Sequence, residues 1–265
     1  MNTFSMPQEK ERSKSLIVKS NDLIESNLKG FTLVQTKLLN LAISKLTPET
    51  PIGHWFDFEA SYLLEKLNMG EGNHKELRKA TLDMLRGVEV KQGNKIMQRP
   101  LIVTDYIMGE GVVRFRFDHD VQPFLVDLKE RFTKYYFENI QRLSSTYAIR
   151  LYELLKQYQK IGKRDLSLDD IRFYLDVPVG SYVRFNDFKR KVLEISQREI
   201  NQKTDISISF DPLKTGRKIT GITFYINSQK RPIQPEEIQP DMIGGFDECE
   251  EEAIKYIIKY CSISK

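Results

Sequence analysis

The feature that most constrains the fold of this chain is a run of elements that occurs twice: short helix, turn, longer helix and β-hairpin. In the first copy, a strand at residues 55–58 leads into a short helix at residues 62–67, marked by the spacing of its apolar residues. A loop with two glycines separates this helix from a longer one over residues 73–86. Strands are then predicted at 88–91, 101–107 and 112–117, with turns at 93–94 and 109–111.

The second copy spans residues 144–227 and begins with a helix over residues 144–159 that has one wide apolar face. A short helix with Ile171, Tyr174 and Leu175 on its inner side ends at a turn containing Pro178 and Gly180. The second copy ends with a long helix at 185–201 and strands at 206–210 and 219–226, joined by a connection at 211–217. Two further helices are predicted before the first copy, at 20–28 and 32–46.

This order of elements is typical of a winged helix-turn-helix domain, whose second helix can enter a DNA groove beside the hairpin. Because it occurs twice, it predicts an α+β fold of two winged helix-turn-helix domains in tandem, each with helices and a small antiparallel sheet or hairpin. We expect a disordered segment at residues 1–15, domains at 16–130 and 131–230, and a linker with an acidic tail at 231–265. The alternative is a single α+β domain without internal duplication.

The charge of the chain is unevenly distributed. Residues 1–130 carry 18 basic and 18 acidic side chains, residues 131–232 carry 20 and 11, and residues 233–265 carry 3 and 8. The net charge of +4 therefore conceals a segment of +9 and a tail of −5. A local basic excess of this size fits a polyanionic partner, although a solvated surface with a chance asymmetry would look the same.

The long helix of the second copy is the candidate reading helix. At about 100° per residue, its polar residues, which include Gln197 and Asn201, lie opposite its apolar residues. The residues predicted to face inward are Phe185, Phe188, Val192, Leu193, Ile195 and Ile200. Side chains that can hydrogen-bond bases or phosphates concentrate at its start, and the candidates for DNA contact are Arg184, Asn186, Asp187, Lys189 and Arg190.

Two further basic groups are candidates for DNA contact. Lys214, Arg217 and Lys218 flank a glycine turn in the hairpin, where a wing would hold cations against phosphates. In the first copy, Lys75, Arg78 and Lys79 are predicted to lie opposite a packing face. That face comprises Leu77, Ala80, Thr81, Met84 and Leu85. The helix would be a second, weaker reading helix, whereas an ordinary solvated helix would carry similar charges.

The sequence offers little for an enzyme. The three histidines are isolated, no cysteines and histidines have zinc spacing, and no P-loop is present, so we expect no metal and no cofactor. Tyr135 and Tyr136 could serve a DNA-nicking enzyme, but the paired histidines that would hold its metal are absent. We interpret both tyrosines as packing residues at the domain junction, and we expect no catalytic residue.

The expected cellular compartment is inferred from the absence of membrane-spanning and secretory segments in the sequence. No apolar run approaches the ~20 residues that span a bilayer, and the first 15 residues contain no apolar core of a secretory signal. Cys249 and Cys261 are expected to be free thiols in a reducing compartment, while a disulfide in an oxidising one is the open alternative. We therefore expect a cytoplasmic protein with no membrane partner.

Four stretches of the chain, in this order, resemble motifs of the iteron-binding plasmid replication initiators. They begin Ile17-Val18-Lys19-Ser20-Asn21, Tyr147-Ala148-Ile149-Arg150-Leu151, Tyr182-Val183-Arg184-Phe185-Asn186 and Gly216-Arg217-Lys218-Ile219-Thr220. The resemblance extends over about residues 16–227 and leaves the acidic tail outside.

The resemblance implies a function in replication. Monomers of such initiators bind tandem repeats at a plasmid origin through both winged-helix domains, help to melt adjacent DNA, and recruit the host initiator and the replicative helicase. As dimers joined through the N-terminal domain, several of them repress their own gene. By the same resemblance, Arg184, Asn186, Asp187, Lys189 and Arg190 would read the major groove, and Arg217 and Lys218 would contact phosphate. The alternative function is that of a plain winged-helix transcriptional repressor.

Overall fold

The computed structural model describes residues 15–28, 30–84, 87–92, 95–107, 109–126, 128 and 131–230. Apart from Ser15, the predicted disordered start lies outside the described residues, as do the turn at 93–94 and the acidic tail with its two cysteines. The ends of the predicted helix at 73–86, Leu85 and Arg86, also lie outside.

The first helix-turn-helix consists of two short helices that lead into a three-stranded antiparallel sheet. The elements of this half are β1 (Leu16–Ser20), α1 (Asn21–Ile24), α2 (Leu33–Ile43), β2 (Trp55–Glu59), α3 (Ala60–Lys66), α4 (His74–Leu82), β3 (Gly87–Gln92), β4 (Lys95–Pro100), β5 (Ile102–Ile107), β6 (Val112–Phe117) and a 3₁₀ turn at Gln122–Phe124. The order in the sheet is β2-β6-β5, and β3 and β4 form a separate hairpin. Thr32 starts α2 through a capping box with Gln35, which satisfies free amides of the first turn.

The second half repeats the arrangement with a longer hairpin. Its elements are β7 (Phe132–Tyr136), α5 (Glu138–Gln141), α6 (Thr146–Lys156), β8 (Lys163–Ser167), α7 (Leu168–Tyr174), α8 (Phe185–Phe188), a π-helical segment at Lys189–Leu193, α9 (Glu194–Lys203), β9 (Ile206–Thr215) and β10 (Lys218–Ser228). The sheet order is β8-β10-β9, with both pairs antiparallel. Ser145 and Ser167 accept backbone N–H groups at the starts of α6 and α7. The prediction of two tandem winged-helix units with small antiparallel sheets is thus confirmed.

The largest difference from the predicted elements is the pair of strands β1 and β7. Leu16 is the register partner of Tyr136 and Ser20 that of Phe132, so the strand at the start of the chain pairs with one more than 100 residues later. Neither strand was predicted, because a strand of five residues that pairs with a distant partner has no recognisable pattern in its own sequence. It also ties together the two sides of the predicted boundary near residue 130, which stays a prediction.

A buried ion cluster joins α6 to β1 and β7. Glu153 accepts a hydrogen bond from Lys19 Nζ at 2.7 Å through Oε1 and one from Arg150 Nη1 at 2.8 Å through Oε2. The Tyr135 hydroxyl also contacts Glu153 Oε1 and lies 2.9 Å from Asn40 Oδ1. All five side chains are buried, so the cluster connects four elements, β1, α2, β7 and α6, away from solvent.

Arg150 extends this cluster to the backbone of two further helices. Its Nη2 donates to the carbonyl oxygens of Ile24 at 2.6 Å and Ser26 at 2.5 Å, and its Nε donates to Tyr174 O at 3.2 Å. Beside it, Arg164 Nη2 lies 2.5 Å from Glu25 Oε1. One arginine on α6 therefore holds the segment after α1 against the end of α7.

The charge state of Glu153 follows from this geometry. Burial by itself raises the pKa of a carboxyl group, but the charges of Lys19 and Arg150, with hydrogen bonds from Lys19 and Tyr135, hold the pKa of Glu153 below its usual value. Burial, reinforced by the Glu153 charge, raises the pKa of Tyr135 well above its usual value, so this hydroxyl stays protonated. Glu153 is thus an anion between two buried cations.

We predict that Glu153→Gln lowers the free energy of unfolding by about 3–5 kcal/mol, because it leaves Lys19 and Arg150 without a buried counter-charge. Lys19→Met should cost less, since Arg150 still compensates Glu153. Urea unfolding of both variants measures the difference, with Asp57→Asn at the exposed Arg114–Asp57 pair as the control expected to unfold near wild type. Equal losses for Glu153→Gln and Asp57→Asn would contradict this account.

Lys37 on α2 is a buried cation outside this cluster, and the charged residues that act on it, Lys203 and Glu199, lie on α9. Burial, with a smaller contribution from the charge of Lys203, lowers the pKa of Lys37 from 10.5 to about 8, and the charge of Glu199 opposes the change. Below pH 8 both the folded and the unfolded chain carry this proton, so folding bears the full cost of burying the charge. As the pH rises from 8 to 10.5, the folded chain loses the proton first and the cost disappears.

We therefore expect Lys37→Met, which keeps the apolar stem, to raise the free energy of unfolding by about 1–3 kcal/mol at pH 7. The gain should shrink above pH 8 and be nearly absent at pH 10.5. Chemical unfolding at both pH values tests the sign. Lys45→Met at an exposed position of the same half is the matched control, and a gain independent of pH would show that Lys37 is not the titrating group.

Candidate nucleic-acid interface

The turn that precedes the reading helix is fixed by one arginine. Arg172 on α7 donates from Nη1 to Ser181 O at 3.0 Å and from Nη2 to Tyr182 O at 2.6 Å. Its guanidinium also lies over the Phe188 ring, 4.6 Å from the ring centroid. Tyr182 has a φ of +49°, which costs energy in a residue other than glycine and is maintained here by these contacts. The reading helix therefore starts from an anchored point.

The reading helix comprises α8, the π-helical segment and α9, and it is not the regular α-helix that was predicted. Phe188, Val192, Ser196 and Ile200 are buried at intervals of four residues. A regular helix of 3.6 residues per turn would rotate such a row away from the core, and the wider π turn at Lys189–Leu193 restores its direction. The prediction that Ile195 faces inward is wrong for this reason: its side chain is 41% exposed, and Ser196 takes its place.

The polar residues at the start of the reading helix lie on its solvent side, as predicted. Arg184, Asn186 and Arg190 are exposed, and Asp187 and Lys189 are partly exposed. Arg190, with 72% of its side chain exposed, lies 3.6 Å from Asp187, and Lys189 lies 3.5 Å from Glu194. These weak surface pairs leave the cationic groups accessible to a polyanion.

Two polar residues further along the reading helix have a structural role instead. Gln197 Nε2 and Asn201 Nδ2 donate to Ile208 O at 2.9 and 3.0 Å, and Ile208 N donates back to Asn201 Oδ1 at 2.7 Å. Both residues belong to the predicted polar arc, and both are only partly exposed. Their contacts fasten strand β9 to the reading helix, which fixes the base of the hairpin relative to the helix.

The wing is the hairpin of β9 and β10, and its turn consists of Gly216 and Arg217. Gly216 has a φ of +61°, which suits glycine at a tight turn. Both strands extend beyond their predicted ends, so the connection expected at residues 211–217 is mostly strand. At about 3.3 Å per residue, the five residues added to β9 lengthen this strand by roughly 15 Å. Lys214, Arg217 and Lys218 are all exposed at its tip.

The first unit presents a smaller basic face on α4. Lys75, Arg78 and Lys79 are exposed, while Leu77, Thr81 and Met84 are buried and Ala80 is partly buried. The amphipathic pattern predicted for this helix is confirmed between His74 and Leu82. Contact of these side chains with DNA, like that of the reading helix and wing, stays a prediction.

The side chains considered for other chemistry lie elsewhere. Tyr135 is buried in the ion cluster, as a packing residue would be, whereas Tyr136 is 42% exposed and the packing prediction is wrong for it. In the described part of the chain, Asp118, His119 and Asp120 bring one ligand atom each to within 4.8 Å of one another. They are consecutive residues, of which Asp118 is partly buried and His119 and Asp120 are exposed, and the two aspartates lie close to the His119 ring. Within the described ranges, no helix has the length and apolar character to cross a membrane.

Comparisons with known proteins agree with this architecture. The chain is 32% identical over 136 residues to the PI protein of Escherichia coli, a stretch that is 45% of this chain and 45% of that protein, so the alignment spans under half of the relative. A crystal structure of Pi initiator protein in complex with iteron DNA superposes with a TM-score of 0.68 at 22% identity, over 82% of this chain and 98% of that one. At that identity the superposition supports the fold.

The family itself is shown by two sequence models. One, described as initiator replication protein, WH1, matches residues 16–156, and the other, described as initiator Rep protein, WH2, matches residues 167–226. Together they cover most of the chain and both helix-turn-helix units. On this evidence the chain belongs to the family of initiator replication proteins with two winged-helix domains.

Proposed function

We propose that this protein initiates replication of a plasmid by binding repeated sequences, iterons, in duplex DNA at the origin. The observation that carries the proposal is the exposed cationic start of the reading helix, together with a long basic wing whose base is fastened to the same helix, in a chain of the initiator family. The relative of similar fold was crystallised with iteron DNA, which supports the same ligand class here.

The chemistry of the exposed side chains suits a major groove. Arg184 and Arg190 can bond guanine O6 and N7, Asn186 can pair with adenine, and Asp187 can accept from cytosine N4. Lys214, Arg217 and Lys218 on the wing would contact phosphates at the groove edge, and Lys189 would add charge beside the bases. Lys75, Arg78 and Lys79 on α4 would contact a second stretch of the same duplex, mainly through its backbone.

The remaining steps of initiation are proposed from the family. Monomers would bind the iterons, promote opening of adjacent DNA and recruit the host initiator and replicative helicase in the cytoplasm. Dimers joined through the N-terminal domain would repress the protein's own gene. The chain would act by binding DNA and promoting its opening, without a catalytic residue, metal or cofactor of its own.

A replication assay separates this function from that of a plain repressor. A minimal plasmid that carries the origin but lacks this gene should fail to replicate, and the protein supplied in trans should restore replication. A plasmid that replicates without the gene would leave only the repressor function. Footprinting of the adjacent DNA should give protection on one face with a period of about 10–11 base pairs if both units bind together.

A nicking enzyme is the rival of a different class. Incubation of the protein with supercoiled origin DNA and a divalent metal should yield no covalent protein–DNA adduct. An adduct through Tyr136, the exposed member of the tyrosine pair, would overturn the proposal that this chain only binds DNA.

For Arg190→Ala we predict a loss of specific binding of roughly 1–3 kcal/mol and a relaxed preference at one base position, since a bidentate contact to guanine is removed. Competitive binding to a panel of single-base variants of the site measures both effects. Arg198→Ala, an exposed arginine of the same helix about two turns later, should relax no base preference. Unchanged affinity of Arg190→Ala would show that this side chain faces solvent in the complex.

For Lys218→Ala we predict similar losses of affinity for all sequences and a decrease of about one in the slope of log K against log salt. The reason is that one phosphate contact of the wing would be lost with its released counterion. Lys163→Ala is the control. Lys163 is the register partner of Tyr225, so it lies near the end of β10 that is distant from the wing tip. A slope that responds equally to both substitutions would argue against a phosphate contact at the wing tip.

A further inference from the structure

Two valines in the turn before the reading helix have highly exposed side chains, although apolar side chains are usually buried. Val179 is fully exposed and Val183 is 80% exposed, although Arg172 holds the backbone of the turn in place. Val183 directly precedes Arg184, the N-cap residue of α8. An apolar side chain therefore stands next to the first candidate base-reading residue.

The position of Val183 would ordinarily be buried. An apolar residue just before a helix N-cap commonly packs against the fourth residue of the helix, and here that residue is Phe188. In this protein the guanidinium of Arg172 covers the Phe188 ring, with 4.6 Å between the guanidinium carbon and the ring centroid. Val183 stays outside, so neither the helix start nor the core uses its side chain.

The backbone presents Val183 in a defined direction. The preceding carbonyl oxygens, those of Ser181 and Tyr182, are both held by Arg172, and Arg184 has the extended conformation of an N-cap, with φ −76° and ψ 131°. The valine side chain has a single rotatable bond and few rotamers, so little entropy is lost when it makes a contact. Val183 is therefore arranged as a preorganised apolar contact.

We propose that Val183 packs against the C5-methyl group of a thymine in the major groove, beside the base contacted by Arg184 or Asn186. This proposal rests on the proposed function, because it requires the start of the reading helix to lie in the groove. The thymine methyl is the apolar group that a base pair presents at its major-groove edge, and an apolar side chain recognises it there. Val183 then reads thymine at one position of the site.

The test compares thymine with deoxyuridine, which differs by the absence of this methyl group. A preferred duplex is first selected from a random pool with the full-length protein, and each thymine in it is then replaced singly by deoxyuridine. One replacement should weaken wild-type binding about fourfold, the equivalent of ~0.8 kcal/mol for one buried methyl group. Val183→Ala should bind the thymine duplex more weakly by a similar factor and should be insensitive to that replacement.

The matched control is Ile161→Ala, an exposed apolar residue of the same domain. Ile161 lies next to Gly162, whose backbone bonds with Ile226 near the end of β10 distant from the wing tip. This variant should keep the wild-type response to every replacement, and thermal unfolding should show that both variants remain folded.

The outcomes separate this inference from the proposed function. If the wild-type protein selects no duplex, the proposed function fails. If it selects one, but no thymine is sensitive to loss of its methyl group, or Val183→Ala keeps the wild-type sensitivity, the thymine contact is overturned while specific DNA binding stands. A sensitivity lost in Val179→Ala and retained in Val183→Ala would overturn it as well.

Discussion

The packing of α6 against β1 and β7 depends on the buried carboxylate of Glu153. A charge removed from water is costly unless it is paired and fully hydrogen-bonded, and this one is surrounded by Lys19, Arg150 and Tyr135. Because these partners come from β1, α6 and β7, the cost is offset only when all three elements are in their native places. The charge cluster thus restricts how α6 can lie against β1 and β7.

A few specific side-chain contacts also fix the orientation of the reading helix. Arg172 binds the backbone of the turn and covers the Phe188 ring. The π turn at Lys189–Leu193 keeps one row of side chains directed toward the core. Gln197 and Asn201 then hold β9 against the helix. Helix start, turn and wing base are consequently parts of one rigid surface, and rigid positioning is what lets side chains distinguish bases. Residues with no contact to the proposed ligand determine how the candidate contacts are presented.

Much of the fold was accessible from local patterns. Apolar periodicity located α2, α4, α6 and the reading helix, and glycine at the turn located the wing. Local patterns predicted none of strands β1, β4, β7 and β8. Strands β1, β7 and β8 have five residues each and pair with partners far away in the chain, whereas β4 pairs with β3. Arg150 and Glu153 were overlooked although two opposite charges three residues apart in a largely apolar helix were a usable signal. Ile195 was misplaced because a fixed angle of rotation cannot anticipate a π turn.

The sequence by itself determined the order of elements, the basic character of the second unit and the polar residues at the start of its reading helix, since these follow from periodicity and side-chain chemistry along the chain. Only the tertiary structure decided which polar residues face solvent and which bind the backbone, how far the wing projects, and that Val183 remains uncovered. The physical reason is that these features depend on partners far away in the chain: a strand extends when another strand pairs with it, and a side chain is exposed when a different residue, here Arg172, has taken its place against the core.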